Sequence, residues 1–218
     1  MSEQFQVPTV PQIGESLSFY TTGSIVSWGI RLLSPGVNHV ETFAWNPKSE
    51  KIECTSAHAD GVYFRPIEQV IREAKGTVRY HKLRPKVREL LDIEQVNACA
   101  VELDGASYDF LHLLGVGIDD VHINWLKVFP KVPDWVLKTL RATFENEPTK
   151  RAVVCSGVWN WLVLNYGLGL STKYYNPSEI TPWESFKYDL YEDAITVKGK
   201  VRPIRNYNSI IIKGVSDV

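Results

Sequence analysis

Apolar and polar positions recur along the chain with periods that separate strands from helices. A short apolar run over residues 17–20, opened by Gly14-Glu15, predicts a strand. Ile25, Trp28, Ile30, Leu32 and Leu33 suit a short amphipathic helix, closed by Ser34-Pro35-Gly36. Residues 37–45 and 51–55 read as strands joined by the turn Asn46-Pro47-Lys48-Ser49, hence a hairpin. Residues 61–66 add a strand. Residues 67–74 follow as a helix with Ile67, Val70 and Ile71 on one face, and residues 77–83 alternate as another strand after Gly76. Leu90, Leu91, Ile93, Val96, Ala100 and Leu103 predict one helix over 87–103, packed on the sheet. From 107 to 147 the pattern is helical but broken by Pro130 and Pro133, which suggests a helical insert. Strand-like stretches at 194–201 and 209–213 close the chain, and Pro8 and Pro11 make residues 1–12 an extended arm. Residues 13–218 are then expected to form a single domain.

The organising stretch lies between Arg151 and Lys173, which encloses no charge. Val153, Val154, Val158, Trp161, Leu162 and Leu164 make an apolar set too broad for a surface helix. A central helix buried on most sides is expected, with Gly167 and Gly169 as stop signals. The run approaches the length of a membrane span. Ser156, Asn160, Asn165 and three glycines interrupt it, however, and no other segment resembles one, so no stable membrane span is expected. Strands with a hairpin, then helices, the central helix and further strands give an α+β layout.

Composition narrows the class. A hydrophobic fraction of 44% supports a sizeable core, and 24 basic against 25 acidic residues give nothing global to attract nucleic acid. Three cysteines form no disulfide framework and favour a reducing compartment. The first residues lack the basic start and apolar run of a secretory signal, so a cytoplasmic protein is expected, whether cellular, virus-encoded or virion-associated. Locally, residues 65–90 carry eight Lys/Arg against Glu68, Glu73 and Glu89. The stretch from Arg65 to Arg88 is therefore a candidate for an anionic ligand, with a solvated helix face and strand edge as the plainer alternative.

The candidate chemistry sits at the front of the central helix. Cys155 falls in its first turn, where unpaired N–H groups and the helix dipole favour a thiolate. A cysteine nucleophile needs a base, and the base needs an orienting group. His39 begins the strand after the Pro35-Gly36 turn, and Glu53 lies on the neighbouring strand, opposite or diagonal to Glu41 or His39. The bland alternatives are a buried apolar cysteine, a satisfied strand histidine and a solvent-facing glutamate. His58 and Asp60 in a loop compete for the base and orienter roles. His81 among Arg79, Lys82 and Arg84 is a poor base. His112, Asp119, Asp120 and His122 match no metal-ligand spacing. The H-x-E at 39–41 lacks the later P-C-x-x-C that a zinc deaminase needs. There is no P-loop, no G-x-G-x-x-G and no G-x-S-x-G.

Six segments in order resemble the permuted papain-fold amidases, circularly permuted relatives of NlpC-type cysteine peptidases that include the YiiX and YaeF group. They are I-G-E-S-L-S-F-Y at 13–20, V-N-H-V-E-T-F at 37–43 and K-I-E-C-T-S-A-H-A-D-G-V-Y-F-R-P-I at 51–67, then G-A-S-Y-D-F at 105–110, V-V-C-S-G-V-W at 153–159 and P-S-E-I-T-P-W-E-S-F at 177–186. The resemblance implies a circularly permuted papain-like fold, an antiparallel sheet against the cysteine helix, and a histidine that precedes the cysteine in the chain. It implies catalytic roles for Cys155, His39 and Glu53. Tyr108 and Ser156 are then candidates for oxyanion or substrate contacts beside the Cys155 N–H. Glu15 stands where Asp is usual, Gly157 where the motif has Glu, and Glu41 where a small residue is common.

The function expected is a cysteine hydrolase, an amidase, peptidase or ester hydrolase working through an acyl-enzyme. The substrate would be a peptide, cell-wall peptide or lipid, and no metal or organic cofactor is required. Acyl transfer to a lipid is one alternative, and a binding or structural protein without turnover is another.

Overall fold

The structure, a computed structural model, describes residues 10–21, 37–108, 152–170, 181–182 and 184–199. Most of the expected arm and insert, the expected helix near 25–33, the histidine and aspartate cluster at 112–122 and the strand at 209–213 lie outside those residues.

Eight strands are described: β1 (Ser16–Thr21), β2 (His39–Asn46), β3 (Lys51–His58), β4 (Gly61–Arg65), β5 (Gly76–His81), β6 (Ser107–Tyr108), β7 (Ala152–Val153) and β8 (Ile195–Lys198). Six form one antiparallel sheet in the order β4-β3-β2-β1-β5-β8, and β6 pairs in parallel with β7. The architecture is thus α+β, as the element order predicts.

The hairpin register is set by its turn. Asn46 Oδ1 accepts from the Lys48 N–H at 2.9 Å, and Glu50 takes a left-handed φ of 54°. This places Asn46 opposite Lys51 and Ala44 opposite Glu53. β3 runs three residues beyond its expected end, to His58.

Alternation along the strands gives the sheet two apolar faces. Leu17, Phe19, Phe43, Cys54, Val78 and Tyr80 pack with Ile67, Val70 and Ile71 of helix α1 (Ile67–Glu73). Val40, Ala44, Ala57 and Val62 belong to the second cluster, with the remaining helices. The single helix expected over 87–103 is two, α2 (Pro85–Leu90) and α3 (Ile93–Leu103). Asp92 breaks it, because its side chain caps the Gln95 N–H and leaves Leu91 and Asp92 extended.

The central segment is helix α4 (Cys155–Trp159), which continues as a π-helical stretch (Asn160–Gly167). Of the expected apolar set, Val154, Val158, Leu162 and Leu164 are buried, together with Trp159 and Val163, while Trp161 is half-buried. Gly167 ends the stretch where an added Cβ would meet the Leu162 carbonyl at 2.8 Å and Leu91 at 2.6 Å. Among the described residues, no helix is long and apolar enough to cross a membrane.

Candidate functional site

Three termini converge at one end of the sheet. His39 opens β2, His58 closes β3, and Cys155 opens α4, which packs on both strands. Cys155 lies within hydrogen-bonding reach of His39. His39 also packs against Phe19, with ring centroids 5.4 Å apart. It therefore touches the cluster beneath α1 through Phe19 and the cluster around α4 through Cys155.

Glu41 is the carboxylate beside His39. The two alternate on one strand, and His39 Nε2 lies 3.3 Å from Glu41 Oε1. Burial would lower the His39 pKa. The charge and hydrogen bond of the Cys155 sulfur, reinforced by Glu41, outweigh burial and push it up to about 10. For Glu41, burial opposes ionisation, but the hydrogen bond and charge of His39 prevail, helped by Arg65, and its pKa is lowered.

Glu53 does not orient His39. It lies opposite Ala44, three residues further along β2 than Glu41, and its Oε2 accepts from Asn46 Nδ2 at 2.7 Å. An odd displacement also turns the side chain to the other face of the sheet. Glu53 thus braces the turn.

Sequence reasoning set His58 in a loop. The register instead brings it beside His39, with ring centroids 5.1 Å apart, and its Nε2 is 3.7 Å from Glu41 Oε1. Burial, then the neighbouring His39 charge, holds His58 down to about 4, so it is neutral at pH 7. The signal for Glu41 was present in the H-x-E alternation. That for His58 required the register. His39, Glu41 and His58 each offer a donor atom, and all three donors lie within 4.8 Å of one another. They are the residues that could hold a metal ion among those described.

The remaining candidates fall around this centre. Val154 is extended at the helix N-cap, and the first helical bond runs from the Val158 N–H to the Val154 carbonyl. The Cys155, Ser156 and Gly157 N–H groups therefore have no acceptor within the helix. Ser156 is buried. The backbone of Tyr108 pairs with Val153, two residues before Cys155, while its side chain lies outside what is described.

Cys54 and Cys99 are buried and free. Burial first, then the Glu41 charge, raises the Cys54 thiol well above its ordinary value. Of the basic stretch, Arg65 pairs with Glu73, Lys82 with Glu192, Arg84 with Asp189 and Arg88 with Glu15. At least four of its eight cations are thus already engaged within the fold.

No protein-family model matches the chain, and no curated protein matches it. Its fold is similar to the crystal structure of the metalloprotein yiiX from Escherichia coli O157:H7, with a TM-score of 0.54 at 17% sequence identity. The match covers 87% of this chain and 99% of the other. The chain has a YiiX-like fold.

Proposed function

We propose that this chain is a cysteine hydrolase of amide or ester bonds, built on a permuted papain-like fold. The single observation that carries this reading is the contact between Cys155, at the start of a buried helix, and His39, at the start of a strand more than a hundred residues earlier. A sulfur and an imidazole so placed can share one proton.

In the proposed reaction the Cys155 sulfur attacks the substrate carbonyl carbon. The carbonyl π electrons move to oxygen, and the Cys155 N–H is a donor for the oxyanion. As the tetrahedral centre collapses, the imidazolium of His39 delivers its proton to the leaving amine or alcohol. Water then gives its proton to His39 and attacks the thioester, which returns the thiol and releases the acid. An alcohol or amine in place of water gives acyl transfer. Glu41, rather than Glu53, holds the imidazole and offsets its charge.

The similar solved structure is that of a metalloprotein. Should this chain share that property, His39, Glu41 and His58 are the donors, and the ion would supply positive charge beside the reacting carbonyl. A second reading, binding without turnover, is favoured by the 4% exposure of Cys155.

The test is selective alkylation followed by turnover, in the presence of chelator. A small haloacetamide should modify Cys155 ahead of Cys54 and Cys99, as read by peptide mass. Hydrolysis of a panel of amide and ester probes should vanish in Cys155→Ala and His39→Ala proteins that remain folded. Undiminished hydrolysis by Cys155→Ala would remove the hydrolase reading. Labelling without hydrolysis across the panel would favour the binding protein.

A further inference from the structure

We propose that His39, Glu41 and His58 form a binding site for one divalent transition-metal cation of the zinc class. The ligands are His39 Nε2, a Glu41 carboxylate oxygen and His58 Nε2, and the fourth position is left to water. The inference stands on donor geometry and does not depend on the thiol chemistry.

The spacing points to a shared ion. Bond lengths of about 2.0–2.1 Å from zinc to nitrogen or oxygen put tetrahedral ligands about 3.4 Å apart. The observed separations are 3.3 Å from His39 to Glu41 and 3.7 Å from His58 to the same oxygen. A direct charge-assisted hydrogen bond would draw such groups to about 2.8 Å. His39 and Glu41 meet at the long end of a hydrogen bond, both separations match those of neighbouring ligands around one cation, and all three donors lie within 4.8 Å of one another.

The unpaired atoms agree. His58 Nε2 and Glu41 Oε2 are buried with no nitrogen or oxygen hydrogen-bond partner, and the Glu41 side chain is only 3% exposed. A buried carboxylate oxygen without a donor is costly, and a metal ion would offset that cost. The set is also preorganised. His39 and Glu41 are fixed by alternation on one strand, and His58 by the antiparallel neighbour. Two imidazoles and one carboxylate with an open position are a donor set that suits zinc. Cys155 adjoins His39 and Cys54 adjoins Glu41, each one contact outside the set. Two groups oppose the ion, and the first is His39 itself, whose proton must leave as the metal binds. The second, Arg65, lies close enough to Glu41 and His58 for its charge to act on both.

The test uses the full chain, free of any affinity tag and stripped with a chelator. Zinc is titrated in competition with a chromophoric chelator, and cobalt(II) provides the visible spectrum. One cation per chain should bind. Affinity should fall by roughly 100-fold or more in His58→Gln and in Glu41→Gln. Arg65→Gln should bind more tightly, and Cys155→Ala should bind as the parent does. Circular dichroism confirms that each variant is folded, and either ligand variant suffices if the other is not. Absence of stoichiometric binding overturns the proposal, as does binding indifferent to both substitutions. A sulfur-to-cobalt charge-transfer band lost in Cys155→Ser would overturn the assignment of ligands.

Discussion

Glu41 and Glu53 are both buried carboxylates on the same hairpin, and their environments give them different work. Glu41 faces His39, so Glu41→Gln should slow any turnover by about 10- to 100-fold, with the loss in kcat. Glu53→Gln should leave turnover intact and cost about 1–2 kcal/mol in chemical denaturation, because the Asn46 amide loses a charged acceptor. The opposite ranking of the two variants would restore Glu53 as the orienting group. Cys155 and His39 were legible because each carries a local signal, a helix start and a strand start. The choice between Glu41 and Glu53 was not, because the H-x-E alternation offers Glu41 while the placement of Glu53 depends on which residues face each other across a turn. One left-handed residue, Glu50, and one side-chain bond from Asn46 decide that register. Neither announces itself in a pattern of apolar positions.

At the level of elements, the cysteine helix is held by polar contacts as well as by apolar ones. Trp159 Nε1 donates to Tyr191 Oη at 2.6 Å, and the same oxygen lies 3.2 Å from Ser16 Oγ. Helix α4, β1 and the segment before β8 therefore meet at one phenol. Next to Ser16, the fully buried Glu15 accepts from Tyr80, Arg88 and the Gln12 N–H. The length of the glutamate side chain lets it reach Tyr80 on β5 and Arg88 on α2 together. Glu15→Ala leaves the Arg88 charge without its partner and should cost about 3–5 kcal/mol in denaturant unfolding. A loss below about 1 kcal/mol would mean that solvent relieves the arginine. Most elements were visible as apolar periods. The split between α2 and α3 was hidden because Leu90, Leu91 and Ile93 continue a helical stripe across Asp92, and the capping side chain interrupts the backbone without disturbing the stripe.

For the molecule as a whole, His81 sets the acid limit. It is 7% exposed, shares a 2.7 Å hydrogen bond with Ser18 Oγ and stacks on Phe186. Burial, then Arg79, lowers its pKa from 6.5 to about 3. The unfolded chain therefore takes up the proton first as pH falls. The stabilisation is complete above about pH 6.5 and is lost progressively towards pH 3. Across that window His81 should contribute a slope of about 1.4 kcal/mol per pH unit, and His58 adds the same sign down to about pH 4. Urea unfolding from pH 7 to pH 4.5 checks this, and His81→Gln should flatten the curve. A slope unchanged in that variant would remove His81 as the cause.

The parallel pairing of β6 with β7 has a consequence of its own. Ser107 faces Ala152 and Tyr108 faces Val153, so the chain departs and returns at adjoining points, two residues short of Cys155. The intervening stretch needs only enough length for a crossover, a dozen residues or so. Loosening that two-rung clasp would therefore be felt at once at the front of helix α4.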